Sequence, residues 1–361
     1  MLNSWKKVVL VLVVSLLLVG AMSAQYVIAA EKESPYIKWV DTKVVDTLQW
    51  KKDPPWTIGF SNASISNSWR VFLLRHLEYQ ASKYPEIGKL YVTDANDSPV
   101  KQIADTEDLL AKGIDCLIIS PCVEEGLNPV VNKAMAQGVP VVVVDRRVTT
   151  PNYVTFVRAS NEALGKMELE WLVEELNGKG NIILLSGIAG AGPAEVRLAA
   201  AREVIKKHPG IKVLAQEYCD WSAVKGKRVM ASLIVKFGDK IDAVWCDSAL
   251  HGCGAVDAYI DAGLPIPIFT GDDTNRFFKQ WKKHGFKGYA ASFPVWMSMP
   301  AVDAAVYILS GICVPRDLLV PSLVTTDENL DAWVRFDLPD GFLVDQKLPD
   351  EWLPEQFRPK K

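Results

Sequence analysis

From Trp56 onward, short apolar runs alternate with longer stretches whose apolar residues recur at helical spacing. Residues 57–60 and 90–93 read as strands. Residues 68–84 and 99–111 read as helices, the second opening on a proline, which suits the first turn. Residues 116–120 (CLIIS) and 139–144 (VPVVVV) are continuous apolar runs, the pattern of strands covered on both faces of a parallel sheet. A second series follows. Its strands are predicted at 181–185, 212–215, 243–245, 267–270 and 288–291, with helices between them that include 194–207 and 222–237.

Strand–helix alternation predicts doubly wound α/β layers, and two such series predict two lobes with a break near Arg158–Asn161. With 361 residues, 49% of them hydrophobic, the chain is long enough for two cores. The expected division is residues 1–30 as an export signal and 31–55 as an N-terminal extension. Residues 56–159 with 296–320 form one lobe, and 160–295 with 321–361, tail included, form the other.

Ligands of open α/β sheets bind beyond the carboxyl ends of the strands. Those positions hold acids, arginines, hydroxyls and tryptophans. Carboxylates and guanidinium groups make directional hydrogen bonds to hydroxyls, and flat aromatic faces cover apolar C–H surfaces. This is the chemistry that holds a sugar.

Three motifs stand out. The 139–144 run ends abruptly in Asp145-Arg146-Arg147, which is either a solvated turn with a surface ion pair or part of a site. In GIAGAGPAEVR (187–197), the spacing fits neither a phosphate loop nor a dinucleotide fingerprint, and the loop reads as a turn that positions Arg197. In SNSWR (66–70), Ser66 or Asn67 can cap a helix whose first turn carries Trp69 and Arg70. A cation there opposes the helix dipole, which suggests a task. Trp221 beside Asp220 is either lobe core or site. Glu124-Glu125 reads as an acidic helix start.

The N-terminus has a secretory layout: Lys6 and Lys7, an apolar run from Val8 to Val19 broken by Ser15, then small residues to Ala29-Ala30 before Glu31. Cleavage near Ala30 and a periplasmic location are expected. The net charge of −3, without a basic stripe, gives no nucleic-acid binder. The six cysteines show no CxxC spacing and the four histidines stand singly, so no metal site and no cofactor are expected. Motifs of hydrolases, zinc proteases, kinases and Walker-type NTPases are absent, and no enzyme is expected.

In order and spacing, Ile58-Gly-Phe-Ser61, residues 115–121 (DCLIISP), 139–146, Gly187-Ile-Ala-Gly190, Asp220-Trp221 and Thr270-Gly-Asp272 resemble the ribose/galactose-type periplasmic binding proteins of ABC transporters. Gly59-Phe-Ser with Ser68-Trp-Arg70 looks most like the galactofuranose-binding branch. The resemblance covers residues 56–326. It implies a type I periplasmic binding protein, two parallel-sheet lobes joined by a three-strand hinge. The crossings fall near 158–161, 292–296 and 321–325. It places sugar contacts on Asn67, Trp69, Arg70, Asp145 and Arg146 from the first lobe, and on Arg197, Trp221, Ser248 and Asp272 from the second. Ser248 stands where Asn is usual, Val295 where a polar contact is common, and Arg70 where ribose-type proteins have Phe. These departures argue against ribose. The tail after Asp331 is expected to pack on the second lobe.

The implied function is a monomeric solute-binding protein that captures a furanose, hexose or polyol and delivers it to the membrane subunits of an ABC importer. The alternative is a sugar-sensing component that docks on a membrane signalling protein. A transcription regulator of the lactose-repressor type would need a helix-turn-helix headpiece where the export signal stands. A glycosidase pair formed by Asp145 and Asp272 is disfavoured by the cation beside Asp145, which keeps that acid ionised.

Overall fold

The computed structural model describes residues 43–358, so the export-signal segment lies outside them. The strands are β1 (Val44–Val45), β2 (Trp56–Asn62), β3 (Ile87–Asp94), β4 (Cys116–Ser120), β5 (Val141–Val144), β6 (Thr155–Arg158) and β7 (Gly180–Ser186). They continue as β8 (Ile211–Tyr218), β9 (Ala243–Cys246), β10 (Ile268–Gly271), β11 (Gly288–Ala291), β12 (Val314–Pro315), β13 (Asp317–Leu319) and β14 (Val324–Thr326). The helices are α1 (Ser68–Ala81), α2 (Pro99–Ala111), α3 (Asn128–Ala136), α4 (Asn161–Glu175) and α5 (Gly192–Lys207). After them come α6 (Ala223–Phe237), α7 (Ala249–Ala262), α8 (Asn275–His284), α9 (Ser298–Ser310) and the single turn α10 (Leu330–Trp333).

One six-stranded sheet, ordered β13-β6-β5-β4-β2-β3, is parallel throughout. The second, β14-β11-β10-β9-β7-β8, is parallel except for the antiparallel edge strand β14. Every residue of β4, β5, β9 and β11 is buried, as continuous apolar runs require when helices cover both faces. The chain passes between sheets three times: from β6 to β7, from β11 to α9, and from β13 to β14. This is the type I periplasmic binding protein architecture.

Local signals fix the elements. Asn67, Ser98, Ser160, Ser222 and Ser248 each accept a backbone N–H in the first turn of the helix they cap. Gly263, Gly285 and Gly311 close α7, α8 and α9 in the left-handed conformation. Of the N-terminal extension, β1 pairs with β12, and Thr47 Oγ1 donates to the Ile312 carbonyl over 2.8 Å.

Two details differ from the sequence reading. Glu124 and Glu125 lie in turns before α3, which starts at Asn128 without a side-chain cap. The tail packs on the second sheet's core, as Leu338, Phe342, Leu343 and Phe357 join that cluster, but it also meets Phe72 of α1 from the first lobe.

Candidate functional site

All nine residues singled out in the sequence line one cleft between the two sheets. The cleft encloses about 480 Å³, counting the space open to solvent. From the first lobe, Asn67 caps α1, its Oδ1 accepting Arg70 N–H over 3.0 Å, so Trp69 and Arg70 project from the first turn. Asp145 and Arg146 follow β5, where Asp145 takes φ +69°, a region uncommon for residues other than glycine but one that aspartate enters more readily than most.

The Arg70 guanidinium is buried. Its Nη1 donates to Ser120 Oγ over 2.8 Å and lies 3.0 Å from Asp145 Oδ2. Asp145 is therefore the counter-charge of the cation that opposes the helix dipole. Ser120 Oγ also donates to Asp145 Oδ2 over 3.2 Å. Arg146 donates through Nη1 to the Cys122 carbonyl, while its Nε is buried without a hydrogen bond, 4.0 Å from Asp145 Oδ2. Burial first, and the Arg70 charge second, pull its pKa down to about 10 against the attraction of Asp145.

From the second lobe, Arg197 rises from α5. Its Nε donates to Asn161 Oδ1 over 2.7 Å, its Nη1 to the Asp247 carbonyl over 2.9 Å, and its guanidinium lies 4.5 Å from the Phe293 ring centre. Trp221 sits in the left-handed region at φ +48°, and its indole N–H donates to Asp247 Oδ1 over 3.2 Å. A Cβ at Gly187 would overlap that indole, so the loop after β7 requires glycine there. Asp272 accepts from Ser248 Oγ over 2.5 Å and from Thr274 Oγ1 over 2.7 Å. Ser248 thus caps α7 and orients the acid at once.

Asp247 stands behind the wall: it also accepts Gly187 N–H over 3.0 Å, and burial raises its pKa against the pull of His251 and Arg197. Glu168 of α4 is fully buried, with neither oxygen hydrogen-bonded. Burial raises its pKa well above the carboxylate range, against the Arg197 charge. The Trp245 indole is close enough to lower it slightly but makes no hydrogen bond of normal geometry.

The sequence reading missed Pro193, Leu250 and Phe293, which complete the lining. Pro193 lies inside the 187–197 motif, Leu250 two residues from Ser248, and Phe293 inside a predicted crossing. Apolar residues at loop–helix junctions carry no signal that separates cleft from core. Phe293 also ties the lobes: its carbonyl accepts the Trp69 indole N–H over 2.7 Å, with the rings 5.8 Å apart. Val295 does not line the cleft; it is buried in the second core.

Two charged walls and three aromatic surfaces converge between two parallel-sheet lobes, the construction of a periplasmic binding protein. Residues 58–312 match the periplasmic binding protein domain family, and the chain belongs to it. It is 33% identical over 216 residues to the galactofuranose-binding protein of Escherichia coli K12, covering 58% of this chain and 67% of that one. It is 27% identical to the ribose import binding protein of Bacillus subtilis, covering 75% and 88%. Among solved structures, a galactofuranose-binding protein superposes with a TM-score of 0.71 at 29% identity, covering 77% of this chain and 97% of that one.

Proposed function

We propose that this protein captures a small sugar in the interlobe cleft, without catalysis, and delivers it to an ABC importer. One observation carries the reading. Asp145 with Arg70 and Arg146 faces Asp272 with Arg197 across a single cleft flanked by Trp69, Trp221 and Phe293. Paired acids and guanidinium groups on opposite walls offer acceptors and donors to the hydroxyls around a ring, and the aromatic surfaces take its apolar faces. The relatives that bind galactofuranose and ribose support a furanose or pentose as the class of ligand. Arg70 favours a furanose that carries a hydroxylated side arm.

The family and the N-terminal layout support export to the periplasm, with the mature chain starting near Glu31. Mass spectrometry of protein from the cell envelope should find that N-terminus, and an intact Met1 on a cytoplasmic species would sink the export reading. The binding test is a calorimetric panel of furanoses, pentoses, hexopyranoses and polyols. At least one furanose should bind with one-to-one stoichiometry. No heat from any member of the panel would reject sugar capture.

A further inference from the structure

The cleft is not the only place where the lobes meet. Beyond the span matched by the family, the C-terminal segment 334–358 runs over the second lobe and onto the first. Its second-lobe anchor is Asn275. That side chain donates to the carbonyls of Arg335, Leu338 and Pro339, and accepts Arg335 N–H over 3.0 Å. Leu343 bridges Thr274, and Asp345 N–H donates to Asp273 Oδ2 over 2.9 Å, next to Asp272 in the cleft wall.

The Asp345 carboxylate then holds the crossing segment. It accepts from Ser292 Oγ over 2.6 Å and from the Trp296 indole over 3.2 Å. Ser292 precedes Phe293, which lines the cleft.

The far end grips α1. Phe72, His76 and Tyr79 lie at i, i+4 and i+7, one face of the helix. Phe72 meets the rings of Phe342 at 5.7 Å and Phe357 at 4.9 Å, and Tyr79 meets Trp352 at 5.2 Å. Lys347 N–H donates to His76 Nε2 over 2.9 Å. Leu73 and Leu77, on another face, belong to the first lobe's own core. Phe72 belongs instead to the cluster of the second lobe.

We propose that residues 334–358 form a strap that fixes α1 against the second lobe and pre-sets the interlobe angle. The empty cleft is thereby held near its binding geometry. Opening carries α1 away from Asn275 and Asp273, so the strap must release one end. The second-lobe end would lose buried hydrogen bonds, and the α1 end would expose Phe72, Phe342 and Phe357 to water. Either loss opposes opening. A ligand's apparent dissociation constant equals its intrinsic one divided by the competent fraction, so a strap that raises this fraction tightens binding without touching the ligand.

Ligand-free scattering of the full mature chain tests this without knowledge of the sugar. The curve should fit the present interlobe angle, and a clearly more open envelope overturns the proposal. Two variants extend the test. One ends after Leu348, removing Trp352 and Phe357. The other is Tyr79→Ala with Trp352→Ala, two half-buried side chains packed at the edge of the second lobe's core, which keeps all its fully buried members. Each should show a larger ligand-free radius of gyration with unchanged circular dichroism, and a dissociation constant raised about tenfold for any sugar the wild type binds. Unchanged scattering in both folded variants refutes the strap. Strap-dependent compactness in a chain that binds no sugar would leave the strap standing and sink the transport reading instead.

Discussion

Arg70 Nη1 and Asp145 Oδ2 lie 3.0 Å apart with both side chains buried, so the first-lobe half of the site is an ion pair before any ligand arrives. Removing one partner of a buried pair leaves an uncompensated charge, at a cost of about 3–5 kcal/mol. Asp145→Ala should therefore lower the melting temperature as well as abolish sugar binding. Asp272 is less buried and its nearest partners are hydroxyls. Asp272→Ala should weaken binding by one to two decades with a smaller loss of stability, at about 1.5–3 kcal/mol for one charged hydrogen bond. Thermal melts paired with calorimetry separate the two. Equal melting temperatures for both variants would contradict the buried-pair account.

Much of this site was legible because each candidate follows a strand predicted from its apolar run. Strand ends in a parallel sheet converge, and the order β5, Asp145, Arg146 needs no tertiary information beyond that rule. What the chain did not reveal is which partner each polar group takes. Arg70 was readable as a cation placed against a helix dipole, but Ser120 and Asp145 as its partners depend on the packing of α1 against the β4 and β5 ends. Glu168 looks like any helix-surface glutamate; only the packing of α4 on the second sheet buries it. The strap was illegible for a related reason. Its contacts with α1 join residues more than two hundred positions apart, and Phe72 sits in a helix with nothing to show that it faces the other lobe's cluster.

The close approach of Gly187 to Trp221 yields a second prediction. In Gly187→Ala, the added methyl overlaps the indole, which must move and release its hydrogen bond to Asp247. Sugar affinity should fall at least tenfold, while the melting temperature changes by only a few degrees, since the indole is half-buried at a cleft edge. Titration followed by tryptophan fluorescence measures both the affinity and the displaced ring. Wild-type affinity in Gly187→Ala would remove Trp221 from the site.

Burial raises the Glu168 pKa and so favours its protonated form, which is unfavourable wherever the unfolded chain would ionise it. Glutamine supplies the same shape without a proton to keep. Glu168→Gln should be more stable than wild type near neutral pH. Its advantage should grow with pH above the ordinary glutamate range and vanish in acid, where both forms are neutral. Chemical denaturation across that pH range reads the trend. A glutamine variant less stable than wild type at neutral pH would mean that Glu168 is ionised and serves Arg197.

His76 carries an opposite dependence. Its Nδ1 faces the Phe72 carbonyl at 2.7 Å and its Nε2 accepts from Lys347 N–H, so the ring is neutral with its proton on Nδ1. Burial, helped by the charges of Lys347 and Lys83, lowers its pKa from 6.5 to about 4. The unfolded chain takes up the proton first. Stability from this residue is present above pH 6.5, is lost as pH falls toward 4, and amounts to about 3 kcal/mol at most. Asp273 and Glu168, with raised pKa values, push the other way. The readable quantity is thus the stability difference between wild type and His76→Gln, which should shrink on going from pH 7 to pH 4. A difference that stays constant with pH would show that the histidine titrates alike folded and unfolded.

The proposed preference for an arm-bearing furanose rests on Arg70. Its Nη1 is committed to Ser120 and Asp145, which holds the planar fork in place at the cleft wall. A held guanidinium discriminates, because a ligand that offers no oxygen to it leaves a desolvated donor unpaired. A furanose with a hydroxylated side arm can supply that oxygen; a ribopyranose lacks the arm. Arg70→Phe removes the fork and leaves Asp145 buried with only Ser120 and the more distant Arg146 beside it, so the melting temperature should fall as well, while Phe offers the sugar only an apolar face. The variant should lose about 10- to 100-fold in affinity for an arm-bearing furanose, the equivalent of one charged hydrogen bond. Its affinity for simple pentoses should hold or rise. Paired titrations of wild type and variant against galactofuranose, ribose and a hexopyranose give the ranking directly. If the order of the three sugars is the same in both proteins, Arg70 only supports Asp145, and the preference for the side arm must come from the second lobe.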